Sequence, residues 1–352
     1  MPLNVWNNIT PPVGSMVPPS PATYGVVWVV ANPSRAGEIW CCVDQKGLWK
    51  STDYGATWTG GQISPVNGTN NTTYFDSPNQ LRWHPTNPLL GYLTVGVRSE
   101  TADVFGFWKT TDGGANWFKP AGYVSISSTV GSQDVTSFSV DPTDFNHVIV
   151  GGHSPWTGFS TSGILETTDG GSTWTAHNPP AGWPGGTQPP AFLYDPATGQ
   201  GNANTWLVGT DGSGIWRTTN AGSSWTQVTS AFSAVHVGQH IMYLPDGRLI
   251  AGAGGQPIIS SDNGLTWAAL SALPSGIYTG VCNGGDGYIY TGRTWRSFDY
   301  MDQLWRAPVS NPTSWTELTD LSTGDGPVNM ISQDGILYWS GWTAGLFRKR
   351  LF

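Results

Sequence analysis

The chain has 352 residues, a formal net charge of −8 and only 11% charged residues, with no basic cluster. A nucleic-acid or anionic-membrane surface is therefore not expected. No stretch approaches the roughly eighteen apolar residues of a membrane-spanning helix, and three cysteines are too few to read as a disulfide framework. With 47 Gly, 26 Pro and 20 Trp, the composition suits a rigid all-β chain of many turns packed by indoles.

In chain order, Met1-Pro2-Leu3-Asn4 has neither a basic start nor an apolar core, so no signal peptide is expected in the sequence as given. Asn4 to Pro12 reads as a strand because it mirrors Ser172 to Pro180, the strand that follows a repeated box further on. That box, S/T-x-D-x-G-x-T-W, is fullest at Ser51-Thr52-Asp53-Tyr54-Gly55-Ala56-Thr57-Trp58. Related copies run Thr110 to Trp117, Thr167 to Trp174, Thr218 to Trp225 and Ser260 to Trp267, with a degenerate one ending at Trp315. The last apolar strand, Gly345-Leu346-Phe347-Arg348, has no Trp after it, so Trp6 is expected to complete it. Counted around the joined termini, the seven marker tryptophans lie 42 to 59 residues apart.

Periods of this size with turn signals predict four-stranded propeller blades. The third unit shows the parts in order: Val135 to Val140 (a), His147 to Gly152 (b), Gly163 to Glu166 (c) and Ser172 to Thr175 (d). The a-to-b turns carry Pro with Asp or Asn, as in His84-Pro85-Thr86-Asn87-Pro88, Asp141-Pro142-Thr143-Asp144, Asp195-Pro196-Ala197-Thr198 and Pro245-Asp246-Gly247. The expected fold is a single all-β domain over 1–352. It is a seven-bladed β-propeller of four-stranded antiparallel blades at 13–61, 80–119, 135–177, 190–228, 237–270, 276–318 and 327–352 with 3–10, so that the N-terminal strand bearing Trp6 closes the ring in the last blade. In this arrangement the box aspartates Asp53, Asp112, Asp169 and Asp262 bond turn backbone, the box glycines take positive φ, and the tryptophans pack between blades. Their role is expected to be structural.

These repeats resemble the Asp-box (BNR) propeller superfamily, which includes sialidases, xyloglucanases, sortilin-type domains and a photosystem assembly factor. No Arg here is followed by Ile-Pro, the sialidase motif, so sialidase activity is not expected. The chain is more similar to the xyloglucanases of glycoside hydrolase family seventy-four, whose blades often read Asp-Pro-x-Asp, as at Asp141 to Asp144. The segment Val43-Asp44-Gln45-Lys46-Gly47-Leu48-Trp49-Lys50 loosely matches their first-blade loop. The resemblance implies a catalytic Asp44, although those enzymes pair this Asp with another on a second propeller that the present sequence lacks.

Function is sought on the face carrying the b-to-c and d-to-a connections, here the loop face. Asp44 and Asp211 occupy equivalent b-to-c positions and form the candidate catalytic pair, since glycoside hydrolysis needs two carboxyl groups about 5 to 9.5 Å apart. Arg98 with Glu100 and Asp103, and Arg293 with Arg296 and Asp299, are expected to orient a uronate or a sugar hydroxyl. Trp156, Trp183, Trp295 and Trp342 fall in expected loops and are candidates for stacking on pyranose rings. His236 and His240 lack a third ligand at recognisable spacing, so neither a metal nor another cofactor is expected. A lyase using His with Tyr194 or Tyr243 is the lesser enzymatic alternative, and sequons at Asn67, Asn70 and Asn71 mark a polar loop.

Two functions follow as expectations. One is a carbohydrate-directed propeller that binds a neutral or weakly acidic polysaccharide, with hydrolysis by Asp44 and Asp211. The other is a non-catalytic interaction module, such as a lectin, an attachment protein on a virion or cell surface, or an assembly factor with a protein partner. Either suits an extracellular or particle-surface setting without membrane insertion. Fold alone does not separate them.

Overall fold

The structure is a computed structural model and describes residues 2–13, 25–61, 75, 78–96, 102–183, 187–194, 201–210, 213–230, 241–294, 303–320, 326–341 and 345–352. Seven antiparallel sheets form a ring, the expected seven-bladed β-propeller. Blade 1 runs outward from its inner strand Val26–Ala31 through Ile39–Val43 and Gly47–Ser51 to Thr59–Gly60. The inner strands of the others are Pro78–Trp83, Val135–Asp141, Thr187–Tyr194, Ile241–Tyr243, Gly276–Asn283 and Asn329–Gln333.

Among the described residues, two blades depart from four strands. In blade 2 the outermost strand shrinks to a bridge, with Lys109 and Phe118 exchanging backbone bonds of 2.9 and 3.0 Å. Blade 6 gains a fifth strand because Gly254–Gly255, arriving from blade 5, pairs with Gly276 and Ile277.

The ring closes as its repeat spacing requires. Trp6, Asn7 and Asn8 pair with Lys349, Arg348 and Phe347, and the Trp6 indole meets Trp339 edge-on at 6.5 Å. Further along, Ile9 N–H donates to the Leu346 carbonyl at 2.8 Å, and Leu346 N–H donates back to Thr10 Oγ1 at 2.9 Å.

The core is divided among the blade interfaces, since each sheet buries both faces against its neighbours. Val27, Trp28 and Trp40 of blade 1 meet Leu81, Trp83 and Leu93 of blade 2. On the other face of blade 1, Val29, Ile39 and Cys41 meet Tyr338 and Leu346 of blade 7. The adjacent Cys41 and Cys42 thus serve different interfaces, as strand alternation demands. Burial alone raises the Cys41 thiol well above its ordinary range, which leaves it unreactive.

The repeated box is a hydrogen-bonded turn. At Ser51–Trp58, Asp53 accepts Thr57 N–H (2.8 Å), Thr57 Oγ1 (2.6 Å) and Ser51 Oγ (2.8 Å), while Gly55 N–H donates to Ser51 Oγ at 2.7 Å. Burial works against the Asp53 carboxylate, but these bonds outweigh it and hold its pKa at about 2. The same pattern recurs at Asp112, Asp169 and Asp262, and with Asn220 as the acceptor in blade 4.

Gly55 adopts φ +90°, and a Cβ there would lie 2.5 Å from Ile9 Cδ1, across the junction that closes the ring. Gly55→Ala should cost ~1–3 kcal/mol, combining positive-φ strain with overpacking. Chemical denaturation checks this, and a cost near zero would mean that the junction is loosely packed.

Candidate functional site

Strand polarity defines two faces. The loop face carries the starts of the inner strands and the b-to-c connections. The turn face carries the a-to-b and box turns.

Asp44 lies on the loop face, as expected, but in a three-residue turn where Gln45 takes φ 56° and Lys46 N–H donates to the Val43 carbonyl at 2.9 Å. So short a connection cannot lift the side chain outward, and Asp44 is 6% exposed. Its expected partner Asp211 lies outside the described residues, as do Arg98, Glu100, Trp295, Arg296, Asp299 and Trp342. His236, His240 and the three sequon asparagines lie outside them too. Asp103 is exposed in the short helical turn Ala102–Val104. Arg293 is half-buried at the end of its strand, and its side chain crosses Gly276, where a Cβ would meet Arg293 Cδ at 2.5 Å.

Trp156 and Trp183 correct the expectation of open sugar platforms. They are 5% and 3% exposed. The Trp156 ring lies over Gly163, where a Cβ would approach it to 2.8 Å, and packs into the interface between blades 2 and 3. Trp183 sits 5.2 Å from Trp225 and 6.3 Å from Trp216. Both loops fold back because an indole gains more by filling an interface than by facing water. Tyr243 is committed as well, its hydroxyl donating to Asn263 Oδ1 at 2.6 Å, while Tyr194 ends the inner strand of blade 4.

The loop face holds a polar centre that the sequence reading passed over. Asp134 immediately precedes the inner strand of blade 3, and His153 and Ser154 immediately follow its second strand, so sheet pairing brings them together. Asp134 Oδ2 accepts Ser154 Oγ at 2.6 Å and pairs with His153 Nδ1 at 3.0 Å. Gly96 of blade 2 makes room for it, since a Cβ there would lie 2.5 Å from Asp134 Oδ1. The signal available in the sequence was position: an acid before an inner strand and a His after the adjacent one.

A second network threads all four strands of blade 3. Asp141 Oδ2 pairs with His147 Nδ1 (3.3 Å), His147 Nε2 with Glu166 Oε1 (2.8 Å), and Glu166 Oε2 with His177 Nε2 (2.8 Å). Burial opposes charging of His147, but Glu166 and Asp141 outweigh it and raise its pKa. Burial likewise opposes the Glu166 carboxylate, yet the two imidazoles hold it at about 2. Among the described residues no group of three His, Cys, Asp or Glu is arranged to hold a metal ion.

On the turn face, a cavity of about 640 Å³ opens at the end of the central channel, walled by the inner strands of blades 2, 3, 5, 6 and 7. Gln80, Arg82 and His84 contribute polar groups, and Phe138, Met242 and Met330 contribute apolar wall.

No family model matches the chain. A curated relative, the xyloglucanase of Hypocrea jecorina (strain QM6a), is 26% identical over 257 residues, covering 64% of this chain and 29% of its own length. Among solved structures, the GH74 xyloglucanase from Xanthomonas campestris is similar at a TM-score of 0.66 and 17% identity, over 99% of this chain and 53% of that one. YCF48 bound to D1 peptide is similar at 0.62 and 15% identity, over 100% of this chain and 99% of that one. The chain therefore spans about half the length of the solved xyloglucanase and less of the curated one, and the structural likeness is one of fold.

Proposed function

We propose that the chain is a carbohydrate-directed propeller that binds a neutral or weakly acidic polysaccharide on its loop face, in an extracellular or particle-surface setting. The observation that carries this reading is the Asp134, His153 and Ser154 centre, a hydrogen-bonded polar group on the face where the connections between strands are long. Low overall charge and the 257-residue match to a xyloglucanase support a glycan over a charged partner. The half-buried Arg293 lies on the same face.

Xyloglucan is the first ligand to test, within a panel of plant, algal and bacterial glycans. Saturable binding is expected, weakened about tenfold by His153→Ala through the loss of one or two polar contacts. Failure to bind any glycan in the panel would sink the reading.

Turnover is a separate claim within it. Asp44 and Asp211 act as the carboxyl pair if reducing ends are released, and Asp44→Asn and Asp211→Asn then abolish release while leaving binding intact. Release that survives both substitutions removes the pair from the mechanism.

The second reading is a non-catalytic module with a protein partner. It draws on the end-to-end similarity to YCF48, a one-propeller chain seen with a peptide. Native mass spectrometry finding only free monomer would count against it.

A further inference from the structure

The turn-face cavity has two walls of different chemistry. On one side, along the inner strand of blade 2 and its extension, strand period places Leu81 and Trp83 in the packing against blade 1 and turns Gln80, Arg82 and His84 the other way. Gln80 Oε1 accepts Phe138 N–H at 2.8 Å, which leaves the Gln80 NH₂ to donate. His84 Nδ1 accepts Thr86 N–H at 3.1 Å and Asn87 N–H at 3.0 Å, which puts the ring proton on Nε2. Gln80 and His84 therefore meet a ligand as donors only. Arg82 is already engaged, one of its bonds going to the Leu81 carbonyl at 3.2 Å. Asp141 lines the same cavity, its carboxylate holding Thr143 N–H at 2.8 Å, Thr143 Oγ1 at 2.7 Å and His147 Nδ1 at 3.3 Å. With one Arg and one Asp, the lining has no net formal charge, which suits a neutral ligand.

The wall formed by blades 6 and 7 offers a donor and an acceptor together. Asn283 Oδ1 accepts Gly285 N–H at 3.2 Å, so its NH₂ is left to donate. Ser332 Oγ donates to the carbonyl of the neighbouring Gly284 at 2.7 Å and keeps its lone pairs. A hydroxyl suits this pair, because one oxygen accepts from Asn283 and donates to Ser332, whereas an amide divides those roles between two atoms. Gln80 and His84 instead call for an oxygen that accepts without donating, which is a carbonyl. A carboxylate would accept as well, but against the charge of Asp141. Met242 and Met330 give the cavity apolar surface, and its volume of about 640 Å³ is ample for a substituted sugar.

We propose that this cavity binds a neutral acetamido sugar, its acetamido carbonyl on Gln80 and His84, its methyl against Met242, and a ring hydroxyl on Asn283 and Ser332. A sugar without the carbonyl would desolvate the Gln80 and His84 donors without replacing their bonds. The site lies at the opposite end of the channel from the loop face and does not rest on the polysaccharide reading.

Isothermal titration of the full chain with N-acetylglucosamine, glucose, glucuronate and N-acetylalanine methylamide, an amide without hydroxyls, tests it. N-acetylglucosamine is expected to bind at least about tenfold tighter than each of the other three. Gln80→Glu keeps an acceptor for Phe138 N–H while removing the donor, and should bring N-acetylglucosamine close to glucose. Met242→Trp should block binding by filling the cavity while leaving Gln80 and His84 in place. Thermal unfolding of both variants reports whether they fold, and the comparison of the four compounds on the wild type stands without them. Glucose, glucuronate or the blocked alanine binding as tightly as N-acetylglucosamine, no N-acetylglucosamine binding by the wild type, or unchanged binding by both folded variants would each overturn the proposal.

Discussion

Replacing Glu166 by Ala should lower the free energy of unfolding by ~3–5 kcal/mol, the cost of removing one member of a buried, hydrogen-bonded ion network. Glu166 is 13% exposed and is the hinge of the blade 3 chain, accepting from His147 with one oxygen and from His177 with the other. Without it, His147 loses its shorter carboxylate contact and is left with the longer one to Asp141, and His177 loses the carboxylate that it pairs with. His177 is also the wall against which blade 4 packs, its ring lying 5.2 Å from Trp206. A loss below about 1 kcal/mol in urea unfolding would show that the network is solvated and contributes like a surface pair.

The same network sets a pH window. His147 has a folded pKa raised above its unfolded value of about 6.5, so its contribution is complete below that value and fades as pH rises through the folded pKa. Glu166 runs the other way. Its folded pKa of about 2 means that its contribution is complete above its unfolded value and is lost as pH falls through about 2. Both contributions are complete together in mildly acidic solution, between about pH 4.3 and 6.5, the two unfolded values. Urea midpoints should therefore fall from pH 6 to pH 8 in the wild type, and fall less in His147→Gln. Equal slopes in the two proteins would remove His147 as the cause.

Deleting the first ten residues should abolish the single cooperative unfolding transition. The deletion strips Trp6–Asn8 from Gly345–Arg350, removes the Ile9 and Thr10 bonds to Leu346, and leaves the outer strand of blade 7 as an unpaired edge. Trp58 also loses its acceptor, since its indole N–H donates to the Ile9 carbonyl at 2.7 Å. An open ring with a bare edge is prone to aggregate. Trp6→Ala is the milder version, expected to cost ~2–3 kcal/mol because Trp6 is only half-buried against Trp339 and Lys349. A truncated chain that melts as one transition within a few degrees of the full chain would show that closure is dispensable.

Local rules carried much of the architecture. The box turns satisfy their own backbone through side chains four residues apart, so the motif specifies the turn wherever it occurs. The marker tryptophans count the blades, and the orphan strand at Gly345 finds Trp6 because a blade short of its outer strand leaves an unpaired edge.

Helix Ala121–Val130 was not legible. Its sequence, Ala-Gly-Tyr-Val-Ser-Ile-Ser-Ser-Thr-Val, is rich in serine and β-branched residues that disfavour helix. It forms because Tyr123 buries between Phe107 and Trp174, at 6.1 and 5.7 Å, and because Gly131 stops it in a left-handed conformation. Packing against two blades overrides propensity there. The same packing draws Trp156 and Trp183 inward.

The candidate sites divide along the same line. Asp44 was visible because it sits in a motif-like segment, but only the three-residue turn decides that it is sunk. Asp134 and His153, and His147 and Glu166, each stand 19 residues apart in sequence and meet only through sheet register. By itself, then, the sequence determined the number of blades, the turns between their strands and the closure of the ring, because each follows from contacts within a few residues or from the repeat period. The tertiary structure alone decided which loop indoles are core, which acids find histidines, and that Gln80, Arg82 and His84 share a cavity, because those depend on which strands become neighbours.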